Sequence, residues 1–290
     1  MRLKRILRGS TLQSQRQSME TSISIVVSCY NLAGFLGETL ESVARQSWQD
    51  WECIIVNDGS TDATGRLAKG WTNRDKRFKY HYQENKGLPD ARNAGIQRAL
   101  GTYILPLDAD DLLDKSFLAK AHAIISRNSH IKIVYSNTEL FGAESGLWNE
   151  PFSMKELLRR NLIPASAMFR KSDWRSCGGY STTMKGGFED WDFWLSLLEK
   201  GGEVHKIEEA LFKYRRRADS MAAGIDSQRN TQLRKQIVMN HLPLYLNALG
   251  DPLTLTLEME DAKRRLALIQ NSRSYKLGQG IARLFRMFTK

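Results

Sequence analysis

The segment Tyr103-Ile104-Leu105-Pro106-Leu107-Asp108-Ala109-Asp110-Asp111 limits what this chain can fold into more than any other. Its first five residues have the length and composition of a buried parallel strand. The apolar run then breaks off into three carboxylates, with Ala109 as the only gap. These acids stand at the strand's carboxyl end, where open α/β sheets bind their ligands. Crowding three carboxylates is unfavourable unless a cation compensates them. Hard oxygen donors suit Mg²⁺ or Mn²⁺, and Mg²⁺ takes one or two carboxylates plus phosphate oxygens and water. A solvated acidic turn with Asp114 capping the next helix uses the same residues, so the rest of the chain must decide between the two readings.

The surrounding pattern alternates strand and helix. Ile23–Cys29 reads as a strand closed by Tyr30-Asn31, and residues 34–46 as a helix with Phe35, Leu36, Leu40 and Val43 on its apolar stripe. Trp51–Val56 is a second strand, with Thr61 or Asp62 placed to cap the helix after it. Phe78–Gln83 is a third, followed by a helix from Pro89 to Leu100. This order predicts βαβ units and a mostly parallel sheet flanked by helices. The second half is more mixed: helix over 115–128, strand over 131–135, a short helix over 153–160 and a strand over 165–169. A helix over 189–200, an extended stretch over 211–215 and two or three terminal helices complete the expectation. The organisation expected is a basic segment at 1–20, a catalytic domain at 21–225 and a helical region at 226–290. Neither a G-x-G-x-x-G after the first strand nor a G-x-x-x-x-G-K-[ST] occurs, which counts against dinucleotide-binding Rossmann and P-loop proteins.

The net charge of +11 looks like a nucleic-acid signature until it is located. Residues 1–19 carry five basic side chains without an acid, and residues 271–290 another five, so the tails hold ten of the eleven charges. The body is nearly neutral, which argues against a nucleic-acid partner. Three cysteines, Cys29, Cys53 and Cys177, lack metal-ligand spacing, and the first two lie in strand candidates as buried thiols. No run approaches the roughly 20 apolar residues of a spanning helix, and the first residues lack the apolar core of a secretory signal. A cytoplasmic protein is expected.

Three further stretches carry chemistry. Asp58 ends its strand much as Asp108 does, facing the same crevice, although Asn57-Asp58-Gly59-Ser60 is also a good turn by itself. Residues 85–95 open a helix in whose first turns Arg92 stands, within reach of a bound phosphate or simply solvated. Gly187-Phe188-Glu189-Asp190-Trp191 places two adjacent carboxylates at a loop-to-helix junction among aromatic residues. Acids there stabilise the helix dipole. A carboxylate against aromatic rings also has its pKa raised, which suits a general base.

Together, Ser24–Asn31, Ile55–Asp62, Asn85–Ile96, Asp108-Ala109-Asp110-Asp111 and Glu189-Asp190-Trp191-Asp192 resemble, in order and spacing, the inverting, metal-dependent glycosyltransferases of family 2. The resemblance covers about residues 22–220 and implies a GT-A fold, an α/β nucleotide-diphospho-sugar transferase architecture. It implies that Asp58 binds the nucleotide base with Tyr30 and Asn31 near it, that Asp108 contacts the ribose, and that Asp110 ligates Mg²⁺ or Mn²⁺ at the diphosphate. Lys86 and Arg92 are implied on the phosphate side, Asp190 as catalytic base, and Glu189 as a group orienting the acceptor. The family's Tyr-Arg-x-His-x-x-Ser reads here Tyr214-Arg215-Arg216-Arg217-Ala218-Asp219-Ser220, so Arg217 stands where a His is usual, and the resemblance implies for it a place at the diphosphate. The Gln-x-x-Arg-Trp signature of processive members is absent. The implied reaction moves one sugar, most simply from a UDP-sugar, to a glycan or lipid-linked acceptor.

In the last stretch Leu277, Ile281, Leu284, Phe285 and Phe288 form a helical stripe, with Arg283, Arg286 and Lys290 off it. An anionic membrane surface is the expected partner of the two basic tails, holding the protein peripherally on the inner face; the stripe packing on the protein's own domain is the competing reading. Two other functions fit the sequence less well. A sugar-nucleotide nucleotidyltransferase wants a Gly-rich Gly-x-Gly-x-Arg loop that Ser28-Cys29-Tyr30-Asn31 does not supply, and a non-catalytic sugar-nucleotide or glycan-binding module has no need of every carboxylate present.

Overall fold

The computed structural model describes residues 22–288. The basic lead-in, with Leu3, Ile6 and Leu7, lies outside the described residues. The chain divides into two compact units, one ending at Asn240 and the other running from His241.

The first unit is built on one nine-stranded mixed sheet. Its first half is the expected βαβ array: β1 (Ile23–Cys29), α1 (Ala33–Ala44), β2 (Trp51–Asp58), α2 (Thr64–Arg74), β3 (Phe78–Gln83), α3 (Leu88–Arg98) and β4 (Tyr103–Asp108). These four strands run parallel in the order β3-β2-β1-β4. β1 pairs along its length, Ile23 with Tyr103 and Ser28 with Asp108, so the acidic end of β4 emerges level with the loop after β1. Buried on both faces, β1 and β2 are largely apolar without strict alternation, and polar residues within them, Ser24, Ser28 and Glu52, are buried too.

Alternate residues serve different layers. Ile23, Ile25 and Val27 join Leu36, Leu40 and Val43 of α1 and Trp71 of α2 in one core. The opposite face receives α3, whose Gly95 sits directly over Val26 and Val56. Neither Thr61 nor Asp62 takes the expected cap position of the second helix, which falls on Ala63 without a side-chain cap; Asp62 instead accepts from the Thr64 amide at 2.9 Å and from the Ala33 amide of α1 at 3.0 Å, tying the two helix starts together. Cys29 and Cys53 are buried, and burial pushes the Cys29 thiol up to about 12, where it is inert.

The second half departs from simple alternation. After β5 (Leu112–Leu113) and α4 (Phe117–Ile125) come β6 (Ile131–Gly142), β7 (Gly146–Trp148), α5 (Met154–Leu157), β8 (Met168–Arg170), α6 (Lys171–Cys177), α7 (Glu189–Leu198) and β9 (Glu203–Arg216). The short β8 wedges antiparallel between β4 and β6. β9 runs parallel to β6 and its far end pairs with β5, Leu112 against Lys213. Both β6 and β9 extend well past their expected ends. The reason is pairing: β6 continues through Ser136, Asn137 and Thr138, which are buried although polar, and β9 begins among the charged residues 203–209, where apolar periodicity gives no signal. Phe193 and Trp194 of α7 close the other face against Phe169 of β8 at ring separations of 5.0 and 6.0 Å.

Four helices follow rather than two or three: α8 (Ser227–Asn240), α9 (Leu242–Leu249), α10 (Pro252–Asn271) and α11 (Arg273–Phe288). Pro243 and Pro252 sit in the first turns of α9 and α10, where a missing N–H costs nothing. α8 joins the first unit through Leu233 and Ile237, both buried.

The contact of α3 with the sheet is testable. A Cβ at position 95 lies 2.4 Å from Val26 Cγ1 and 3.0 Å from Val56 Cγ2. Overpacking costs roughly 1–3 kcal/mol, against about 1 kcal/mol gained in helix propensity. Gly95→Ala is therefore expected to lower stability by about 1 kcal/mol in urea unfolding; a gain would mean that α3 can lift from the sheet.

Candidate active site

The acidic turn after β4 is clasped by the end of β9. Because β5 pairs with β9, residues 215–217 are carried against residues 108–111 across more than a hundred positions of sequence. Arg215 donates its amide to Asp111 Oδ1 at 2.8 Å and its Nε to the Asp110 carbonyl at 2.8 Å. Arg217 donates Nη1 to Asp110 Oδ2 at 2.8 Å and Nε to Asp219 at 2.9 Å. The residue at the usual His position thus lies on the acidic cluster.

The acids carry more negative charge than these donors relieve. Burial, and then Asp108, pushes Asp110 up to about 6, with Arg217 and Arg215 opposing. Asp111, 1% exposed, is raised well above the ordinary carboxylate range by burial and by both neighbouring aspartates. Its Oδ2 is buried without a hydrogen-bond partner. Such a cluster fits a hard divalent cation. Among the described residues no group of three or more His, Cys, Asp or Glu forms a cage for one. Asp110 would therefore be a single protein ligand, with diphosphate oxygens and water completing the shell, the coordination habit of Mg²⁺.

The second carboxylate pair stands at the start of α7. Gly186, Gly187 and Phe188 all adopt positive φ (86°, 131° and 61°), turning the chain sharply into the helix. At Gly187 a Cβ would also press on the Ile225 Cδ1 methyl at 2.7 Å, which would have to move to admit it. The turn buries Glu189 and sets Asp190 beside it, partly buried.

Arg92 joins the two ends of the site. Its Nη2 lies 2.8 Å from Asp108 Oδ1 and its Nη1 2.7 Å from Glu189 Oε1, with the side chain 1% exposed. Burial works against its charge, but Asp108 and Glu189 outweigh it and hold the guanidinium protonated well above its ordinary range. Both arms of its fork are engaged by protein carboxylates, one at the end of β4 and one in the first turn of α7.

Asp190 Oδ1 accepts from the Trp191 amide at 2.7 Å, and Oδ2 from Asn161 Nδ2 at 2.9 Å. Burial, then the adjacent Glu189, pushes Asp190 up to about 7, with Arg92 opposing. Tyr180, also buried, stacks on Phe193 at 4.0 Å and lies under Arg92 at 5.4 Å.

The remaining expected residues lie around the ends of β1 to β3. Asp58, 3% exposed, accepts from Gln83 Nε2 at 2.7 Å and from the amides of Lys86 at 3.0 Å and Gly87 at 2.9 Å. It therefore anchors the loop entering α3, while the Lys86 side chain is exposed. Asn31 adopts φ 53° and its Oδ1 accepts from the Thr61 amide at 2.8 Å, tying the β1 loop to the β2 loop; Tyr30 beside it is 49% exposed. Sequence reasoning misses Arg215, Asn161 and Tyr180 as site residues. Arg215 stands beside Arg217 in the Tyr214–Ser220 motif, which does not show that it reaches the acidic turn; Asn161 and Tyr180 lie in stretches without a local motif, and only loop docking brings them to the site.

The Arg92 bridge predicts a large stability effect. Removing one partner of a buried ion pair costs about 3–5 kcal/mol. Asp108 is 25% exposed on its side chain and recovers part of that from water, so Arg92→Met is expected near the lower end. Denaturant unfolding measures it, and a loss below about 1 kcal/mol would refute the bridge.

Comparison with known proteins agrees with this architecture. The family model described as glycosyl transferase family 2 matches residues 24–192. EpsE of Bacillus subtilis (strain 168), provisionally named a glycosyltransferase, is 30% identical over 209 residues, covering 68% of this chain and 74% of that protein. The PGL/p-HBAD biosynthesis glycosyltransferase of Mycobacterium bovis (strain BCG / Pasteur 1173P2) is 32% identical over 173 residues, 59% of this chain and 67% of its own. Among solved structures, S. aureus TarS 1-349 in complex with UDP-GlcNAc aligns with a TM-score of 0.64 at 19% identity, over 76% of this chain and 66% of that one. The mannosyltransferase PcManGT of Pyrobaculum calidifontis, in complex with GDP-Man and Mn²⁺, aligns with a TM-score of 0.54 at 15% identity, over 88% and 82%. These structures share the fold, an α/β sheet of the GT-A type. The chain belongs to glycosyl transferase family 2.

Proposed function

We propose that this glycosyltransferase moves a single sugar, with inversion, from a nucleoside diphosphate sugar to a hydroxyl of a glycan or lipid-linked acceptor in cell-surface polysaccharide assembly, using Mg²⁺ or Mn²⁺. The observation that carries the reading is the Arg92 bridge, which puts the acidic end of β4 and the first turn of α7 within the span of one side chain. A nucleoside diphosphate donor is further supported by the UDP-GlcNAc and GDP-Man complexes of the solved neighbours, and a UDP-sugar is the first donor to test.

The roles follow from position. Asp190 takes the proton of the acceptor hydroxyl as it attacks the anomeric carbon from the face opposite the leaving group; one such displacement inverts that centre and needs no enzyme nucleophile. The departing diphosphate gains negative charge, and Arg217, Lys86 and the N-terminus of α3 are the protein's own compensation for it. A divalent cation on Asp110 would supply the remaining charge neutralisation at the diphosphate. Asp108 contacts the ribose, Asp58 and Tyr30 flank the base with Asn31 shaping that rim, and Glu189, held by Arg92, orients the acceptor.

Asp190→Asn tests the reading. It is expected to lower transfer at least 100-fold, the scale of a general base, while calorimetric titration of UDP, GDP and dTDP with and without Mn²⁺ keeps its wild-type affinity. With Asp190 pushed up to about 7, the base is active only when ionised, so the rate should fall as pH drops through about 7. Undiminished transfer in Asp190→Asn would remove Asp190 as the base. Metal-dependent nucleotide binding without transfer in the wild type would favour a sugar-nucleotide-binding protein.

The basic C-terminal helix belongs to the same proposal. Residues 273–288 are helical with Leu277 exposed, and the sequence stripe above is amphipathic. Among the described residues no helix is long and apolar enough to cross a membrane. Peripheral attachment to an anionic leaflet then rests on the basic residues, each worth about 1 kcal/mol near such a surface. Co-sedimentation with phosphatidylglycerol vesicles at low salt, lost in high salt and on removal of residues 272–290, is the expected result; binding to neutral vesicles alone would contradict it.

A further inference from the structure

The loop between α5 and β8 is fastened to the first turns of α7 at three points. Trp191 Nε1 donates to the Leu157 carbonyl at 2.6 Å, and Trp194 Nε1 donates to the Ile163 carbonyl at 3.2 Å. Between them Asn161 Nδ2 donates to Asp190 Oδ2 at 2.9 Å. The two indoles lie three residues apart on one helix face, so together they fix the loop along the helix and around it. The amide's direction is also set, because Asn161 Oδ1 accepts the Ile163 amide at 3.2 Å, which leaves the NH₂ group to face Asp190.

We propose that Asn161 is a positioning residue for the general base: it fixes the rotamer of Asp190 and favours its ionised form. This rests on the reading of Asp190 as the base. The charged groups facing Asp190 are Glu189 on its own helix, Asp108 from β4 and Arg92 from α3. The two carboxylates oppose ionisation, and Arg92 is already committed to both of them. A neutral donor is the fitting solution at position 161. It favours the carboxylate form without adding a second cation that would compete with Arg92 or make Asp190 too weak a base. With Oδ1 on the Trp191 amide and Oδ2 on Asn161, the carboxylate plane is held, and the lone pairs left over set the direction of approach for an acceptor hydroxyl.

The test compares Asn161→Ala, Asn161→Asp and Asp190→Asn in the full chain. Transfer or donor hydrolysis is followed across about pH 5–9, using the nucleotide sugar whose nucleotide binds in calorimetry. Losing a hydrogen bond to a charged group moves its titration by about one pH unit. Asn161→Ala is therefore expected to shift the acid limb upward by about that much and to lower kcat about fivefold at pH 7 and about tenfold well below it, with the donor KM unchanged. Asn161→Asp keeps the side-chain volume and the Ile163 bond but turns the donor into an acid, so its limb should move further; it also serves if the Ala variant fails to fold. The Asp190 carboxyl titration, read by ¹³C NMR as the difference from Asp190→Asn, gives the same shift without any substrate. An unchanged acid limb and titration in both Asn161 variants would overturn the proposal, as would a rate loss that merely follows a fall in melting temperature. If Asp190→Asn is inactive while the Asn161 variants keep the wild-type profile, the positioning role fails and the base stands; if Asp190→Asn keeps its activity, the base reading itself fails.

Discussion

A guanidinium with 1% exposure, shared between two carboxylates, is the constraint on which the rest of the site depends. Taking Arg92 out of water is costly, and the attraction to its partners repays that cost only if both arms of the fork are filled. Filling both requires α3 seated on the sheet, β4 in register with β1, and α7 started where Gly187 and Phe188 turn the chain. Residues 92, 108 and 189 thereby make the parallel first half and the mixed second half interdependent. A well-packed apolar trio of the same volume would stabilise the fold as well or better. What the ion triad adds is a defined distance between two groups of acids.

Charge compensation around the acidic turn follows the same logic from the other side. The three aspartates are adjacent in sequence, but Arg215 and Arg217 reach them from the end of β9. Arg215 does more than neutralise. Its guanidinium lies over Phe141 at 4.4 Å and bonds Glu38 at 2.6 Å, so it knits β6 and α1 to the turn. Even so, Asp111 keeps a buried oxygen without a partner, and Asp110 stays pushed up to about 6. The protein supplies cations enough to fold this cluster and leaves a remainder of negative charge, the condition under which a bound cation gains most.

The legible and illegible parts of the chain differ for physical reasons. Strands buried on both faces, such as β1 and β2, announce themselves as short, largely apolar stretches, and the helix between them as a stripe. β9 was legible only at its end, because residues 203–209 are mostly charged and are held as a strand by pairing with β6. Among site residues, Asp108, Asp110, Glu189 and Asp190 could be found because they sit at element boundaries, where a pattern breaks. Arg92 is legible as a basic residue in the first turns of a helix, but sequence does not say that its fork is filled by Asp108 and Glu189. Asn161 carried no local signal, since its contact with Asp190 depends on the docking of a loop by two indoles.

The sequence by itself determined the βαβ order, the acidic break after β4, the carboxylate pair opening α7 and the family to which these belong, because each is a property of neighbouring residues and local spacing. Tertiary structure alone decided which polar and charged groups meet: Arg92 with Asp108 and Glu189, Arg217 with Asp110, Asn161 with Asp190. Those pairings span 16 to 107 residues, and no short-range pattern encodes them. They exist because strand register and the packing of α3, α7 and β9 bring polar groups into places with little or no access to water, and charge buried there must find a partner.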